Sequence, residues 1–200
     1  MKQLIILNLI LILLSSCSGK AKKEALNPKA VALNNRAIVL VQKLNYDSAL
    51  ILLDKAIAID KNYNMPHANK VGIYICKKEF DKALAEIEIV IKKEPDSAEN
   101  WSFAGMLHDG LGDTLTAKKY YKKSIEIGDK KILNPAEKGH IISNRMNRAI
   151  SLILLGKGKE GKDELKKLKE ENPQNNVFDM FLNRNRQDLI NDLFKKEDRH

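Results

Sequence analysis

The chain repeats a pattern of small, large and turn-forming residues with a period of 34, and this period limits the possible fold more than any other feature. Three units follow one another without a gap and a fourth comes after ten further residues, so that the units are 30–63, 64–97, 98–131 and 142–175. Helix-forming Ala, Leu, Lys and Glu are frequent throughout. A chain with such a period is expected to form one array of stacked helical units that share their cores with their neighbours.

Small residues recur at two positions of each unit, and large residues recur at a third. Position 8 holds Ala37, Val71, Gly105 and Ala149, and position 20 holds Ala49, Ala83, Ala117 and Gly161. Position 24 holds Leu53, Ile87, Tyr121 and Leu165. Small residues allow two helices to approach closely and large ones fill the layer between them, so each unit is predicted to be a pair of antiparallel helices.

These positions resemble the tetratricopeptide repeat (TPR). The resemblance implies an all-α fold, a right-handed superhelix (solenoid) of four helical hairpins over residues 29–175 with a C-terminal capping helix. It also implies a non-enzymatic adaptor without a cofactor. Such a protein binds a protein or peptide partner in a concave groove, which is lined by the first helix of each hairpin.

The geometry of TPR proteins assigns particular positions of each first helix to this groove. The residues predicted to bind a partner are Asn34, Asn35, Ile38, Met65, Asn69, Gly72, Ser102, Phe103, Met106, Met146, Asn147 and Ile150. Their amides would hold an extended backbone, and their apolar members would take side chains. Asp109 and Leu154 fall on the same side, with the alternative that the capping helix covers Leu154. Of the residues with which some TPR proteins grip chaperone C-termini only Asn69 matches, so a receptor for such tails is not expected.

Two basic residues on first helices precede an acidic residue by sixteen positions. We expect Lys70 to pair with Glu86, and Arg148 with Glu164, so that each pair joins the two helices of its hairpin. The alternative is that Arg36, Lys70 and Arg148 face the groove.

The ten residues between the third and fourth units contain helix-start signals. Gly128 is expected to end the third hairpin. Asn134 and Pro135 then fit an N-cap and a first helical residue, so the insertion is predicted to extend the fourth unit's first helix back to residue 135. Residues 176–200 are predicted to be a capping helix and a frayed tail.

The N-terminus has the anatomy of a secretory signal, with Lys2 before an apolar run from Leu4 to Leu14. The sequence Leu14-Ser15-Ser16-Cys17 resembles the lipobox of bacterial lipoproteins. This resemblance implies a signal peptide at residues 1–16, lipidation of Cys17 and a tether at residues 17–28. It also implies a cell-envelope location, at the periplasmic face of the outer membrane. No later segment approaches the ~18 apolar residues of a membrane span.

Sequence motifs for catalysis or metal binding are absent. The histidines His67, His108, His140 and His200 have no ligand spacing, and His108 and Asp109 would diverge from a helix because they are adjacent. No catalytic residue and no metal site is therefore predicted. The net charge of +9 leaves one alternative function open, a basic envelope protein that binds cell-wall or lipopolysaccharide polymer. Nucleic acid is not expected, because lysines and acidic residues are interspersed along helices.

Overall fold

The computed structural model describes residues 25–194, which fall into two compact units, residues 25–96 and 97–194. The predicted signal peptide, Cys17, most of the tether and the tail after residue 194 lie outside the described residues. Within 25–194 the chain forms ten α-helices that pack in adjacent pairs, and no strand. The predicted all-α, TPR-type fold class is confirmed. None of the described helices combines the length and the apolar character of a membrane span.

The N-terminal unit contains two hairpins. The helices are α1 (Pro28–Gln42), α2 (Tyr46–Ile59), α3 (Met65–Cys76) and α4 (Phe80–Lys93). Asn27 caps α1 by accepting a hydrogen bond from the backbone N–H of Lys29, and Asn45 caps α2 through Ser48. Helices α1 and α3 contact each other, as do α2 and α3. The side formed by α1 and α3 is called here the first-helix face of this unit.

The C-terminal unit contains two further hairpins, two short α-helices and two 3₁₀ helices. Its α-helices are α5 (Ala98–Gly110), α6 (Thr114–Leu133), α7 (Ile141–Leu154), α8 (Gly158–Glu171), α9 (Asp179–Leu182) and α10 (Arg186–Phe194). Two 3₁₀ helices, Pro135–His140 and Asn176–Phe178, connect them. The first-helix face of this unit is the side formed by α5 and α7, which contact each other.

The helices of each hairpin approach as the small residues predict. A Cβ atom on Gly105 would lie 2.6 Å from the ring of Tyr121, and one on Gly161 would lie 2.4 Å from the carbonyl oxygen of Ala149. Position 8 therefore faces positions 20 and 24 of the partner helix. A larger residue at Gly105 or Gly161 would prevent this close approach of the two helices.

The insertion folds differently from the prediction. Helix α6 does not end at Gly128 but continues to Leu133, and a Cβ on Gly128 would lie 3.2 Å from Cβ of Arg148. Gly128 thus allows α6 and α7 to approach instead of ending a helix. Asn134 does cap the next segment through the N–H of Ala136, as expected. That segment is a 3₁₀ helix, and α7 begins only at Ile141, so the extra turns lengthen α6.

The C-terminal region is not one continuous helix. Residues 176–182 form two short helices that pack on α8, and α10 starts after a break at residues 183–185. The break has a local cause. The backbone N–H of Asp188 donates to Oδ1 of Asn185 at 3.0 Å, and the N–H of Asn185 donates to Oδ2 of Asp188 at 2.9 Å. This reciprocal cap starts a new helix at Arg186.

Candidate functional site

The first-helix face of the N-terminal unit carries a pair of amides. Nδ2 of Asn69 donates a hydrogen bond to Oδ1 of Asn34 at 2.7 Å, which joins α3 to α1. Asn34 is 2% exposed, whereas Asn69 is half-buried and Asn35 is exposed. Half-buried Ile38 lies one turn further along α1. The face therefore presents amides beside an apolar side chain, which is the chemistry that an extended peptide backbone with an apolar side chain requires.

The residues predicted to bind a partner differ in exposure. Those that are buried are Asn34, Gly72, Ser102, Phe103, Asn147 and Ile150. Those that are half-buried are Ile38, Met65, Asn69, Met106 and Met146, and Asn35 is exposed. The predicted residues that a ligand can reach are thus Asn35, Ile38 and Asn69 in the N-terminal unit, together with Met65, Met106 and Met146. Partner binding by these residues stays a prediction.

A carboxylate is buried on the first-helix face of the C-terminal unit. Glu99 is 5% exposed. Its Oε1 accepts a hydrogen bond from Nδ2 of Asn147 at 2.6 Å, and its Oε2 accepts one from Oγ of Ser97 at 3.1 Å. Asn147 is therefore engaged in a contact between α5 and α7.

A further contact on this face was missed from the sequence. Nη2 of Arg186 lies 2.6 Å and 2.5 Å from the two carboxylate oxygens of Asp109, and Nε of Arg186 donates to the carbonyl oxygen of Leu154 at 2.9 Å. The hydroxyl of Tyr121 donates to the same carboxylate at 3.1 Å. Burial and the negative charge of Asp109 raise the pKa of Tyr121 above its ordinary value. The sequence did contain one signal for this contact. Asp109 lies in the last turn of α5, and a carboxylate near a helix C-terminus is unfavourable unless a cation lies close to it.

A charged cluster joins three helices of the N-terminal unit. Nζ of Lys70 lies 2.5 Å from Oε1 of Glu86 and 2.9 Å from Oδ1 of Asp54. Nδ1 of His67 lies 2.7 Å from Oε2 of Glu86. The predicted pair of Lys70 and Glu86 is confirmed, and Lys70 is engaged within the unit rather than presented to a groove.

The pKa values of this cluster reflect competing effects. Burial raises the pKa of Glu86, but the hydrogen bonds from His67 and Lys70 and the charge of Lys70 outweigh it, so the pKa is lowered. Burial lowers the pKa of Lys70, but its contacts with Glu86 and Asp54 prevail and raise it. Both groups are therefore held in their charged forms.

The second predicted pair is wrong. Nε of Arg145, not Arg148, contacts Oε1 of Glu164 at 2.5 Å, and Arg145 also reaches Glu171. Arg148 pairs with Asp129 on α6. In both hairpins position 4 faces position 23, so Arg145 meets Glu164 as His67 meets Glu86. Arg148 stands at position 7 like Lys70, but it has an acidic partner on the neighbouring α6 instead.

No group of three or more potential metal-ligating side chains is clustered within residues 25–194. His108 and Asp109 do diverge, as expected. Nδ1 of His108 lies 3.3 Å from Oδ2 of Asp113, and its ring contacts Tyr120 edge to face, whereas Asp109 contacts Tyr121 and Arg186. Trp101 packs edge to face on the same Tyr120, at 4.9 Å between ring centroids. These aromatic rings form part of the packing of the C-terminal unit.

Comparisons with known proteins bear on the fold. No protein-family model matches the chain, and no curated protein matches it. Among solved structures it is similar to an ArsTM double mutant of MamA RS-1, with a TM-score of 0.53, 15% identity and coverage of 84% of this chain and 85% of that one. It is similar to MamA (41-end) from Desulfovibrio magneticus RS-1, with a TM-score of 0.50, 18% identity and coverage of 74% and 78%.

A third similar structure is that of YrrB, described as a TPR protein with an unusual peptide-binding site. The TM-score is 0.50, the identity is 16%, and the match covers 76% of this chain and 74% of that one. Identities this low establish a shared fold and nothing finer. The fold of this chain is that of TPR proteins.

Proposed function

We propose that the protein is a lipid-anchored, non-enzymatic adaptor of the cell envelope that binds a protein or peptide partner on its first-helix faces. The observation that supports this function best is the pair of Asn69 and Asn34 beside Asn35 and Ile38. The accessible amides of Asn35 and Asn69 suit an extended backbone, since an amide group has both donors and an acceptor, and the buried Asn34 holds Asn69 in position. The similar TPR protein YrrB is described as having a peptide-binding site, which is consistent with this use of the fold.

The binding test compares three forms of the full chain in a quantitative pull-down from native membranes. Asn69→Ala removes the half-buried amide of the face. Asn62→Ala removes an exposed amide of the same unit that lies outside the helices and serves as the matched control. Proteins captured by the wild type and by Asn62→Ala, but lost with Asn69→Ala, are the expected result. Capture that is equal for all three forms would contradict binding at this face.

A charge at Phe103, such as Phe103→Glu, would not be a suitable test of the other first-helix face. Phe103 is 5% exposed, so a charge buried there would report on folding and not on binding.

The anchor is supported by the sequence Leu14-Ser15-Ser16-Cys17. An acylated Cys17 would hold the protein at a membrane, because each buried CH₂ contributes about 0.8 kcal/mol. Mass spectrometry of the mature N-terminus should find an acylated Cys17, and Cys17→Ser should release the protein from membranes. An intact Met1 with an unmodified thiol would contradict the anchor. The outer-membrane, periplasmic location is part of this proposal, and fractionation of the envelope tests it.

One observation favours the alternative function, binding of an anionic envelope polymer. Lys118, Lys119 and Lys122 are exposed on one side of α6 and form no ion pair with another described residue. Binding of purified cell-wall or lipopolysaccharide polymer should then fall steeply between about 50 and 500 mM salt, since the charges are screened. It should also fall when these three lysines become Gln. The matched control changes three other exposed lysines to Gln. They lie on α8, where acidic residues are close by in the sequence, and are Lys159, Lys166 and Lys167. Equal loss in both variants would indicate net charge alone.

A further inference from the structure

Helix α10 lies on the first-helix face of the C-terminal unit. It packs against α5 and α7, and its residues Leu189, Ile190 and Leu193 are buried at 8%, 5% and 6% exposure. The opposite side of the helix is polar, with Gln187 and Asn191 exposed. The segment before it, residues 176–182, already covers α8. Helix α10 is thus an additional layer on the face that the TPR fold offers to a partner.

An ionic anchor holds the first turn of α10. Arg186 contacts both carboxylate oxygens of Asp109, and the side chain of Asp109 is 2% exposed. Arg186 also donates to the carbonyl oxygen of Leu154, the last residue of α7. A buried carboxylate near the end of α5 and an open carbonyl at the end of α7 both require a donor or a cation. One guanidinium satisfies both.

The far end of α10 fits a position where α5 has no side chain. A Cβ atom on Gly110 would lie 2.0 Å from the ring of Phe194. The face thus accommodates an arginine at one end, an apolar stripe in the middle and an aromatic ring at the other end. A helix of nine residues is not stable alone in water, so α10 depends on these contacts for its position.

From these contacts we infer that the first-helix face of the C-terminal unit is a receptor site for an amphipathic helix, and that α10 is its internal ligand. The helix it accepts carries an Arg in its first turn and apolar residues three, four and seven positions later. A partner helix with this pattern binds where α10 lies and displaces it. The inference rests on the proposed function, because it names the partner chemistry of one of the two faces. The inference assigns helix binding to α5 and α7, whereas the first-helix face of the N-terminal unit, which carries Asn69, binds an extended backbone.

The test uses the full chain and a fluorescein-labelled synthetic peptide with the sequence of residues 183–194. Arg186→Ala combined with Leu193→Ala weakens the hold of α10 and leaves the face intact. Gln187→Ala combined with Asn191→Ala alters the exposed side of the same helix and is the matched control. By fluorescence anisotropy, the peptide should bind the first variant at least tenfold more tightly than the wild type or the control.

Two additions test the chemistry of the site. A peptide in which the residue corresponding to Arg186 is Ala should lose this binding. Adding Gly110→Ala to the weakened chain should reduce it, because the methyl group occupies the position of the Phe194 ring. Hydrogen exchange of the α5–α8 amides reports whether the unit remains folded.

Two results would overturn the inference. In the first, the peptide binds no variant although α5–α8 stay protected from exchange. In the second, weakening α10 removes protection throughout α5–α8, which would make α10 an integral part of the unit. Because the probe is synthetic and its site is on α5 and α7, either failure leaves the Asn69→Ala pull-down unaffected. Failure of that pull-down likewise leaves the peptide assay interpretable.

Discussion

Arg186 and Asp109, which are 77 positions apart in the sequence, form an ion pair between α10 and α5. The Asp109 side chain is 2% exposed and the Arg186 side chain is 32% exposed, so the carboxylate is buried and the guanidinium covers it from outside. A pair of this kind adds little net stability when both charges are desolvated. Removal of one partner has a large effect, because the other charge stays buried.

Arg186→Ala should therefore lower the free energy of unfolding of the C-terminal unit by about 3 kcal/mol. Trp101 is the only tryptophan and lies in this unit, so its fluorescence in urea titrations follows the transition. The double variant Asp109→Asn with Arg186→Ala should lose clearly less than the sum of the two single variants.

A surface pair on the same segment provides the control. Nη1 of Arg184 lies 3.1 Å from Oδ2 of Asp192, and both side chains are more than a third exposed. Arg184→Ala should change stability by less than about 1 kcal/mol. Additive losses for Asp109 and Arg186 would show that the pair carries no coupling.

The hairpins could be predicted from the sequence because close helix contacts leave a direct trace in residue size. The small residues Ala37 and Ala49, both fully buried, indicate the helix pairing and its register. The same register would have indicated the pair of Arg145 and Glu164. The prediction of Arg148 used a spacing of sixteen, which holds for Lys70 and Glu86 but fails in the fourth hairpin, where Arg145 pairs with Glu164 and Arg148 pairs with Asp129 on α6. Local patterns thus determine which helices pair, whereas the charged residues that surround each side chain decide which charges meet.

Acid should weaken the N-terminal unit through Glu86. Because its pKa in the folded chain is lowered from the ordinary value of 4.5, its contribution to stability is present above that value. The contribution is lost as the pH falls through the lowered pKa, when the folded state can no longer exclude the proton. Glu86→Gln should be less stable than the wild type at pH 7 and should lose less on acidification. Urea titrations between about pH 7 and pH 3 measure both effects.

Asp54→Asn is the comparison for Glu86. It removes another partner of Lys70, but the Asp54 side chain is 63% exposed. At pH 7 it should change the free energy of unfolding by less than about 1 kcal/mol. An acid dependence that Glu86→Gln leaves unchanged would exclude Glu86 as its source.

Gly161 should tolerate no side chain. A Cβ atom there would lie 2.4 Å from the backbone oxygen of Ala149, and a backbone atom cannot rotate away. Gly161→Ala should lower the free energy of unfolding by roughly 1–3 kcal/mol, as overpacking in a helix contact does. Gly158→Ala on the same helix has no atom within 4 Å of the new methyl group and should be neutral or slightly stabilising. Thermal unfolding of the two variants distinguishes packing from helix propensity, and equal shifts would contradict the close contact.

The candidate sites were less accessible to prediction than the hairpins. Asn69 could be assigned to a first-helix face from its repeat position, but its bond to Asn34 depends on the approach of α1 and α3. Phe103 was expected at the same kind of face and is 5% exposed, because α5 lies within a more fully covered unit. The position of Arg186 depends on the break at residues 183–185. Asn185 and Asp188 create that break through local hydrogen bonds, and periodicity over residues 176–195 does not reveal it.

The turns between paired helices lead to the last prediction. Each turn contains one residue with a positive φ: Leu44 at 58°, Lys78 at 62°, and Gly112 and Gly156 at 96°. A left-handed conformation costs a residue with a Cβ atom roughly 1–2 kcal/mol, and Gly avoids this strain while losing more entropy on folding. Leu44 is 57% exposed, so its side chain contributes little burial. Leu44→Gly should therefore raise the free energy of unfolding by up to about 1 kcal/mol.

Gly112→Ala is the reverse experiment. Nothing lies within 4 Å of a Cβ atom at Gly112, so any loss of stability comes from the backbone alone. It should destabilise by about 1 kcal/mol. Lys78→Gly is a poorer probe, because Lys78 lies over the ring of Phe80 at 5.7 Å and its removal changes a second interaction. Chemical unfolding of Leu44→Gly and Gly112→Ala should thus give shifts of opposite sign. Shifts of the same sign would mean that side-chain contacts, and not the left-handed backbone, determine the stability of these turns.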